Sequence, residues 1–156
     1  FIGIYELANY MIEQGVSSDR VIGGNIGGPI KVDDFTFILT PAYHSSARGS
    51  PTGVVVIGKE ASIYHAGDTG LFAEMEFIGE LYKPKIALLP IGGLFTMGPI
   101  EAAKAVELIK PEVVIPIHYA TFPLLEQTAD KFAEAVKNKG IPVKVIVLKP
   151  GDYYRF

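Results

Sequence analysis

The chain has 156 residues, 49% of them hydrophobic and 20% charged, and its formal net charge is −3 at pH 7. This apolar composition excludes a disordered chain and predicts a single domain over residues 1–156. The negative charge disfavours nucleic acid as a partner, and the absence of cysteine excludes thiolate metal ligands and favours a cytoplasmic location. The longest uncharged window, Ile86 to Ile100, is too short to span a membrane.

The first half of the chain predicts one helix followed by two hairpins. Apolar residues between Ile4 and Ile12 recur with helical spacing, and Gly15 follows where a glycine commonly ends a helix. The stretch "PIKVDDFTFILTPAY" predicts a hairpin that turns at Asp33 and Asp34. The stretch "TGVVVIGKEASIYHAG" predicts a second hairpin that turns near Gly58.

The second half predicts strands that alternate with helices. A helix over "LFAEMEFIGELY" precedes a strand over "KIALLPI", and a helix that opens at Pro99 precedes a strand over "EVVIPIH". A further helix is predicted from about Pro123 to Lys139, and "PVKVIVL" is predicted as the last strand. Hairpins followed by this alternation predict an α/β fold of the α+β type, with helices outside its sheets.

Four polar residues lie at or just beyond the ends of predicted strands. His44 follows "FTFILTPAY", His65 lies within "SIYHAGDTG", Asp68 comes three residues later, and His118 follows "VVIPI". Side chains at the carboxyl ends of strands can meet in one crevice, where open α/β sheets usually bind ligands. Taken singly, each histidine is explained as well by ordinary hydrogen bonding, and the aspartate by a turn.

The order of four motifs resembles the metallo-β-lactamase superfamily, specifically its branch of metal-dependent hydrolases. These motifs are "PAYHSS", "YHAGDTG", "ALLPIGGLFTMGP" and "PIHYATFP". The resemblance implies an αββα sandwich, of which this chain would form the C-terminal two-thirds. The superfamily's HxHxDH motif is absent from the sequence, and the chain does not begin with Met. We therefore expect part of the metal site to lie outside this chain.

The resemblance also implies roles for individual residues. His44 matches a ligand of the first metal, His118 matches a ligand of the second, and Asp68 matches the catalytic carboxylate that bridges them. The implied cofactor is a pair of divalent ions, with zinc expected and Mn, Fe or Ni left open. Metal-activated water would then attack an ester, lactone, amide or phosphodiester of a small-molecule substrate.

Four further residues are expected to support the ligands or to contact substrate, namely His65, Thr69, Thr96 and Tyr119. Thr96 belongs to "GGLFTMGP", which is explained equally well as a turn followed by a helix start. Two other functions remain open, a nuclease or phosphodiesterase of the same superfamily and a metal-free binding or assembly module. The second alternative includes association with another copy or with an N-terminal part.

Overall fold

The strands and helices of the chain are defined by a computed structural model that describes residues 1–156. In chain order they are β1 (Ile2–Ile4), α1 (Tyr5–Glu13), β2 (Ile22–Gly24), β3 (Pro29–Val32), β4 (Phe35–Pro41), β5 (Thr52–Ile57), β6 (Ser62–His65), α2 (Met75–Tyr82), β7 (Ile86–Pro90), α3 (Pro99–Ile109), β8 (Val113–Ile117), α4 (Asp130–Asn138) and β9 (Lys144–Val145). None of the four helices has the length and apolar character needed to cross a bilayer.

Seven strands, β3 to β9, form one mixed sheet in chain order, and β1 and β2 form a separate parallel pair. Strands β3 to β6 pair antiparallel. The two predicted hairpins are β3–β4 and β5–β6. Strands β6 to β9 pair parallel, because a helix lies between each strand and the next. The predicted order of hairpins followed by strand–helix alternation is confirmed, and so is the mixed α/β fold class.

The core lies between one face of this sheet and the helices α2, α3 and α4. A continuous row of paired residues crosses that face, formed by Ile38, Val55, Tyr64, Ala87 and Val114. All five are buried and belong to one apolar cluster with the inner faces of the helices. Burial of this row fixes the register of the strands, because a one-residue slip would turn it toward the opposite face.

The opposite face of the sheet borders the largest cavity, of about 650 Å³. Phe37, Leu39 and Val54 contribute to its walls, and β1 together with Leu7 of α1 covers part of it. Half of the lining residues are hydrophobic, and apolar side chains on a sheet face are typical of a surface that packs against another layer.

An ion-pair network joins α3 to the end of α4. Glu107 binds Lys104 through one carboxylate oxygen and Lys139 through the other, each at 2.8 Å. The hydrogen bonds from these two lysines hold the pKa of Glu107 well below its usual value, at about 2.

Three predicted boundaries were wrong. Helix α2 begins at Met75, four residues later than predicted, and α4 begins at Asp130 instead of near Pro123. In the segment before α4, Leu125 and Ala129 are buried although they are not helical. Their four-residue spacing matches that of a buried helix face, which is why a helix was predicted there. Strand β9 is limited to two residues because it pairs only with the start of β8.

Candidate metal centre

Asp68 and His118 meet at the carboxyl ends of the parallel strands. Asp68 lies three residues beyond the end of β6, and His118 follows β8 directly. Its Nε2 lies 3.4 Å from Oδ2 of Asp68, and the side chains are 25% and 49% exposed, respectively. The pair is therefore accessible to a ligand from solvent while its backbone is held by the sheet.

Thr69 fixes the loop that carries Asp68. Its buried hydroxyl accepts a 2.8 Å hydrogen bond from the Tyr43 amide and donates one of 2.7 Å to the Gly70 carbonyl. Its own carbonyl accepts a 2.9 Å bond from the Met97 amide. Because these bonds use the hydroxyl within the protein, Thr69 positions the loop that carries Asp68.

The backbone of His118 is left-handed, with φ of +53°. Gly92, just beyond β7, makes this arrangement possible, because a Cβ at that position would lie 2.2 Å from the His118 carbonyl oxygen. The Nδ1 atom of His118 is buried and has no hydrogen-bond partner, so Nε2 is the ring nitrogen that is presented to Asp68 and to solvent.

His44 is exposed in the loop after β4, next to the residue that contacts the Asp68 loop. Its chain neighbour Tyr43 exchanges hydrogen bonds with Thr69 and Gly70. The His44 Nδ1 lies 3.0 Å from the Ser45 carbonyl oxygen. A carbonyl oxygen can only accept, so Nδ1 must carry a proton, which leaves the lone pair of Nε2 free in the neutral ring.

His65 has the opposite hydrogen-bond arrangement. Its Nδ1 accepts a 3.0 Å hydrogen bond from the Gly67 amide, so the proton of the neutral ring lies on Nε2. The ring lines the 650 Å³ cavity on the face away from the helices. The surrounding protein lowers the pKa of His65 by disfavouring the charged ring, and the nearby charge of Asp68 partly opposes this effect.

Two other predicted residues lie in the same region. The Thr96 hydroxyl donates a 3.3 Å hydrogen bond to the Met97 carbonyl, and Tyr119 is partly buried and packs against the core. The Ser46 hydroxyl is bonded to the backbone of Arg48, so Ser46 lacks the histidine partner that an activated nucleophile requires.

The separation of Asp68 and His118 fits two ligands of one metal ion. Metal–ligand bonds of about 2.0–2.2 Å in tetrahedral geometry place neighbouring ligand atoms roughly 3.3–3.5 Å apart. The observed 3.4 Å lies within this range. The structure contains no group of three or more His, Asp or Glu side chains able to hold a metal, so His44 is not assembled with the pair. The chain thus presents two candidate ligands, Asp68 and His118, at a separation compatible with one metal ion.

Sequence reasoning missed the part that Gly92 has in this site. The pair "GG" after a strand indicated a turn. The atom that Gly92 approaches closely, the His118 carbonyl oxygen, is 26 positions away in the sequence and lies just beyond another strand. A glycine following a buried strand and facing a candidate ligand on the neighbouring strand is the signal that would have found it.

Comparison with known proteins identifies relatives over the whole chain. Residues 5–119 match a family model described as a beta-lactamase superfamily domain. A protein of Hyperthermus butylicus named as a metal-dependent hydrolase is 55% identical over 100% of this chain and 69% of its own length. One of Thermofilum pendens with the same name is 52% identical over 99% of this chain and 66% of its own length.

A solved structure has the same fold over almost the whole chain. A metallo hydrolase from the hyperthermophilic archaeon Ignicoccus hospitalis is 47% identical, with a TM-score of 0.90 over 97% of this chain and 66% of that chain. The present chain thus spans about two-thirds of the length of these relatives.

Proposed function

Because the chain belongs to the metallo-β-lactamase superfamily, we propose that it carries part of the active site of a metal-dependent hydrolase, with Asp68 and His118 as metal ligands. The observation that carries this proposal is the 3.4 Å separation of the Asp68 and His118 side chains at the carboxyl ends of β6 and β8. Imidazole and carboxylate ligands suit zinc best, with Mn, Fe or Ni as alternatives.

His44 is proposed as a further ligand through its Nε2 atom. Metal-binding histidines commonly donate their other ring N–H to a backbone carbonyl, and the Nδ1 of His44 already does so to Ser45. His65 is not proposed as a ligand, because the amide bonded to its Nδ1 places the proton of the neutral ring on Nε2. It is proposed to support the site through its charge coupling with Asp68. The remaining ligands would come from outside the present residues.

When bound, divalent metal supplies a Lewis acid and lowers the pKa of water, which makes hydrolysis of an ester, lactone, amide or phosphodiester accessible at neutral pH. The protein contributes orientation. Thr69 holds the Asp68 loop against the end of β4, so the carboxylate stays aimed at His118. Gly92 lets the backbone of His118 approach closely. The half-exposed Asp68 carboxylate leaves the open side of the pair free for a small-molecule substrate.

Replacement of the carboxylate by its amide tests the proposal in the full-length protein. The Asp68→Asn variant keeps the shape of the side chain but removes the charge that binds metal, so bound divalent metal should fall in elemental analysis. Hydrolysis of activated ester, lactone and phosphodiester probes should fall by orders of magnitude while the circular dichroism spectrum is retained.

Asp34→Asn is the matched control, because Asp34 is an exposed aspartate paired with Lys59 in another part of the fold. It should retain metal and activity. Full metal content and full activity in the Asp68→Asn variant would contradict the ligand assignment. A wild-type protein that purifies without bound divalent metal would favour a binding module instead.

A further inference from the structure

Four exposed apolar side chains lie on the two loops that follow β7 and β8. Leu94 and Phe95 come from the first loop, and Phe122 and Leu124 from the second; we refer to these four residues as the apolar rim. They are 65%, 57%, 37% and 78% exposed, respectively. The rings of Phe95 and Phe122 are tilted at 50° with centroids 5.9 Å apart, so the two loops share one apolar surface. Clustered exposed apolar side chains commonly mark a binding site.

The loop that carries Leu94 and Phe95 is fastened at both ends to the candidate metal centre. At its end, the Met97 amide donates a 2.9 Å hydrogen bond to the carbonyl of Thr69, the neighbour of Asp68. At its start, Gly92 lies against His118. Leu94 and Phe95 therefore project from a segment that spans the distance between the two candidate ligands.

The second loop is held to the first. The Glu126 amide donates a 3.0 Å hydrogen bond to the Gly92 carbonyl, and the Ala120 amide donates one of 2.8 Å to the Glu126 carbonyl. Leu94 and Ala120 both have left-handed backbones, with φ of +58° and +57°. Residues with a Cβ adopt this conformation rarely, so both loops are held in unusual shapes beside His118.

The charges near the apolar rim are paired. Lys131 binds Glu126 at 2.9 Å, and both line a cavity of about 440 Å³ together with Leu94 and Leu124. No unpaired cation is provided there for a phosphate or carboxylate. The cavity also has polar walls, from Gln127 and Thr128 as well as this ion pair, so the part of the surface that suits an uncharged apolar group is the apolar rim itself.

We propose that the apolar rim binds an aryl or alkyl group of the substrate while the bond to be hydrolysed lies at Asp68 and His118. This inference rests on the proposed function and specifies it, since the substrate then carries an apolar aryl or alkyl substituent beside the bond that is hydrolysed. Phe95 and Phe122 are specificity-determining residues in this arrangement. They contact the apolar group and take no part in the chemical step.

Binding of straight-chain carboxylates from acetate to octanoate tests this inference by calorimetry on the full-length protein, with and without added zinc. Each buried methylene is worth about 0.8 kcal/mol, which corresponds to roughly fourfold in affinity. Because the apolar rim is open on one side, we expect about two- to fourfold tighter binding per methylene. Phe95→Ala and Phe122→Ala should remove most of this dependence on chain length.

Phe77→Ala is the matched control, since Phe77 is also 57% exposed but lies on α2. It should keep the wild-type dependence on chain length. The hydrolysis of esters with acyl chains of the same lengths should follow the same pattern in KM: the wild type and Phe77→Ala should show the dependence on chain length, and Phe95→Ala should lose it.

The outcomes separate this inference from the proposed function. Hydrolysis that shows no dependence on chain length would overturn the inference and leave the hydrolase proposal standing. Chain-length-dependent binding that requires Phe95, in a protein without metal or hydrolysis, would support the apolar rim as a binding surface and refute the hydrolase. If Phe95→Ala instead changes only the association state in sedimentation, the surface binds another copy and the inference is wrong.

Discussion

Substitution of Gly92 by alanine should disturb the candidate metal centre without touching a ligand. The added Cβ would lie 2.2 Å from the carbonyl oxygen of His118 and 3.3 Å from its Nδ1. Ordinary contact begins at 3.4 Å, so β7 and β8 would have to separate by about 1 Å at their ends. The Ile91 amide, which bonds the Ile117 carbonyl at 3.0 Å, and the Glu126 amide, which bonds Gly92, resist that separation.

Overpacking of this kind costs about 1–3 kcal/mol. For a domain of this size, we expect the melting temperature of Gly92→Ala to fall by about 2–12 °C. Metal affinity, measured by calorimetric titration of the full-length protein, should fall as well, because His118 moves with its backbone.

Gly70→Ala is the matched control for this substitution. It lies two residues from Asp68, but the nearest atoms to its added Cβ are 3.9 Å away. Its stability and metal affinity should remain close to those of the wild type. If Gly92→Ala matched the wild type in both measurements, the argument that close backbone approach positions His118 would be refuted.

Two further predictions concern pH. The pKa of Glu107 is lowered to about 2 by its two lysine partners, so its contribution to stability is present above about pH 4.5 and is lost as the pH falls toward 2. Glu107→Gln should therefore flatten the fall in melting temperature over that range, and an unchanged profile would contradict the ion-pair network. Burial raises the pKa of Tyr64 to about 12, so its contribution is complete below pH 10 and is lost between pH 10 and 12. The Thr40 side chain partly opposes this rise in pKa but forms no hydrogen bond of normal geometry with the buried Tyr64 hydroxyl. Tyr64→Phe should therefore be neutral or stabilising at pH 7 and should remove this alkaline loss; strong destabilisation at pH 7 would contradict the prediction.

The sequence predicted those elements whose local signals agree with their packing. Helix α3 begins at Pro99, where a proline at the first helical position needs no amide partner, and the hairpin between β3 and β4 turns at Asp33, which has φ of +50°. The prediction failed before α4, because Leu125 and Ala129 are buried at helical spacing in a segment that folds back onto Gly92. Periodicity records which side chains are buried and does not record the backbone conformation that buries them.

From the sequence, the candidate site could be predicted only as polar residues that follow the ends of strands. Asp68 and His118 were expected to lie near each other, and the structure places them together. Their ligand roles, with that of His44, stay predictions. The protonated nitrogen of each histidine could not be predicted, because it depends on whether a backbone carbonyl or an amide approaches Nδ1. The apolar rim could not be predicted, because the sequence does not distinguish exposed Leu and Phe residues from buried ones.

Asp68 and His118 can meet only if the loops after β6 and β8 extend across the end of β7, which lies between these two strands. Strands β6 and β8 both neighbour β7, so they are separated by two strand spacings, roughly 10 Å. The backbone turns at Gly67, next to Asp68, and at His118 itself, with φ of +66° and +53°. The Asp68 and His118 side chains end 3.4 Å apart. A side chain on Gly92, just beyond β7, would collide with the backbone and ring of His118, and glycine has none. The site is thus made by three consecutive strand ends acting together, in which the middle strand contributes by the absence of a side chain.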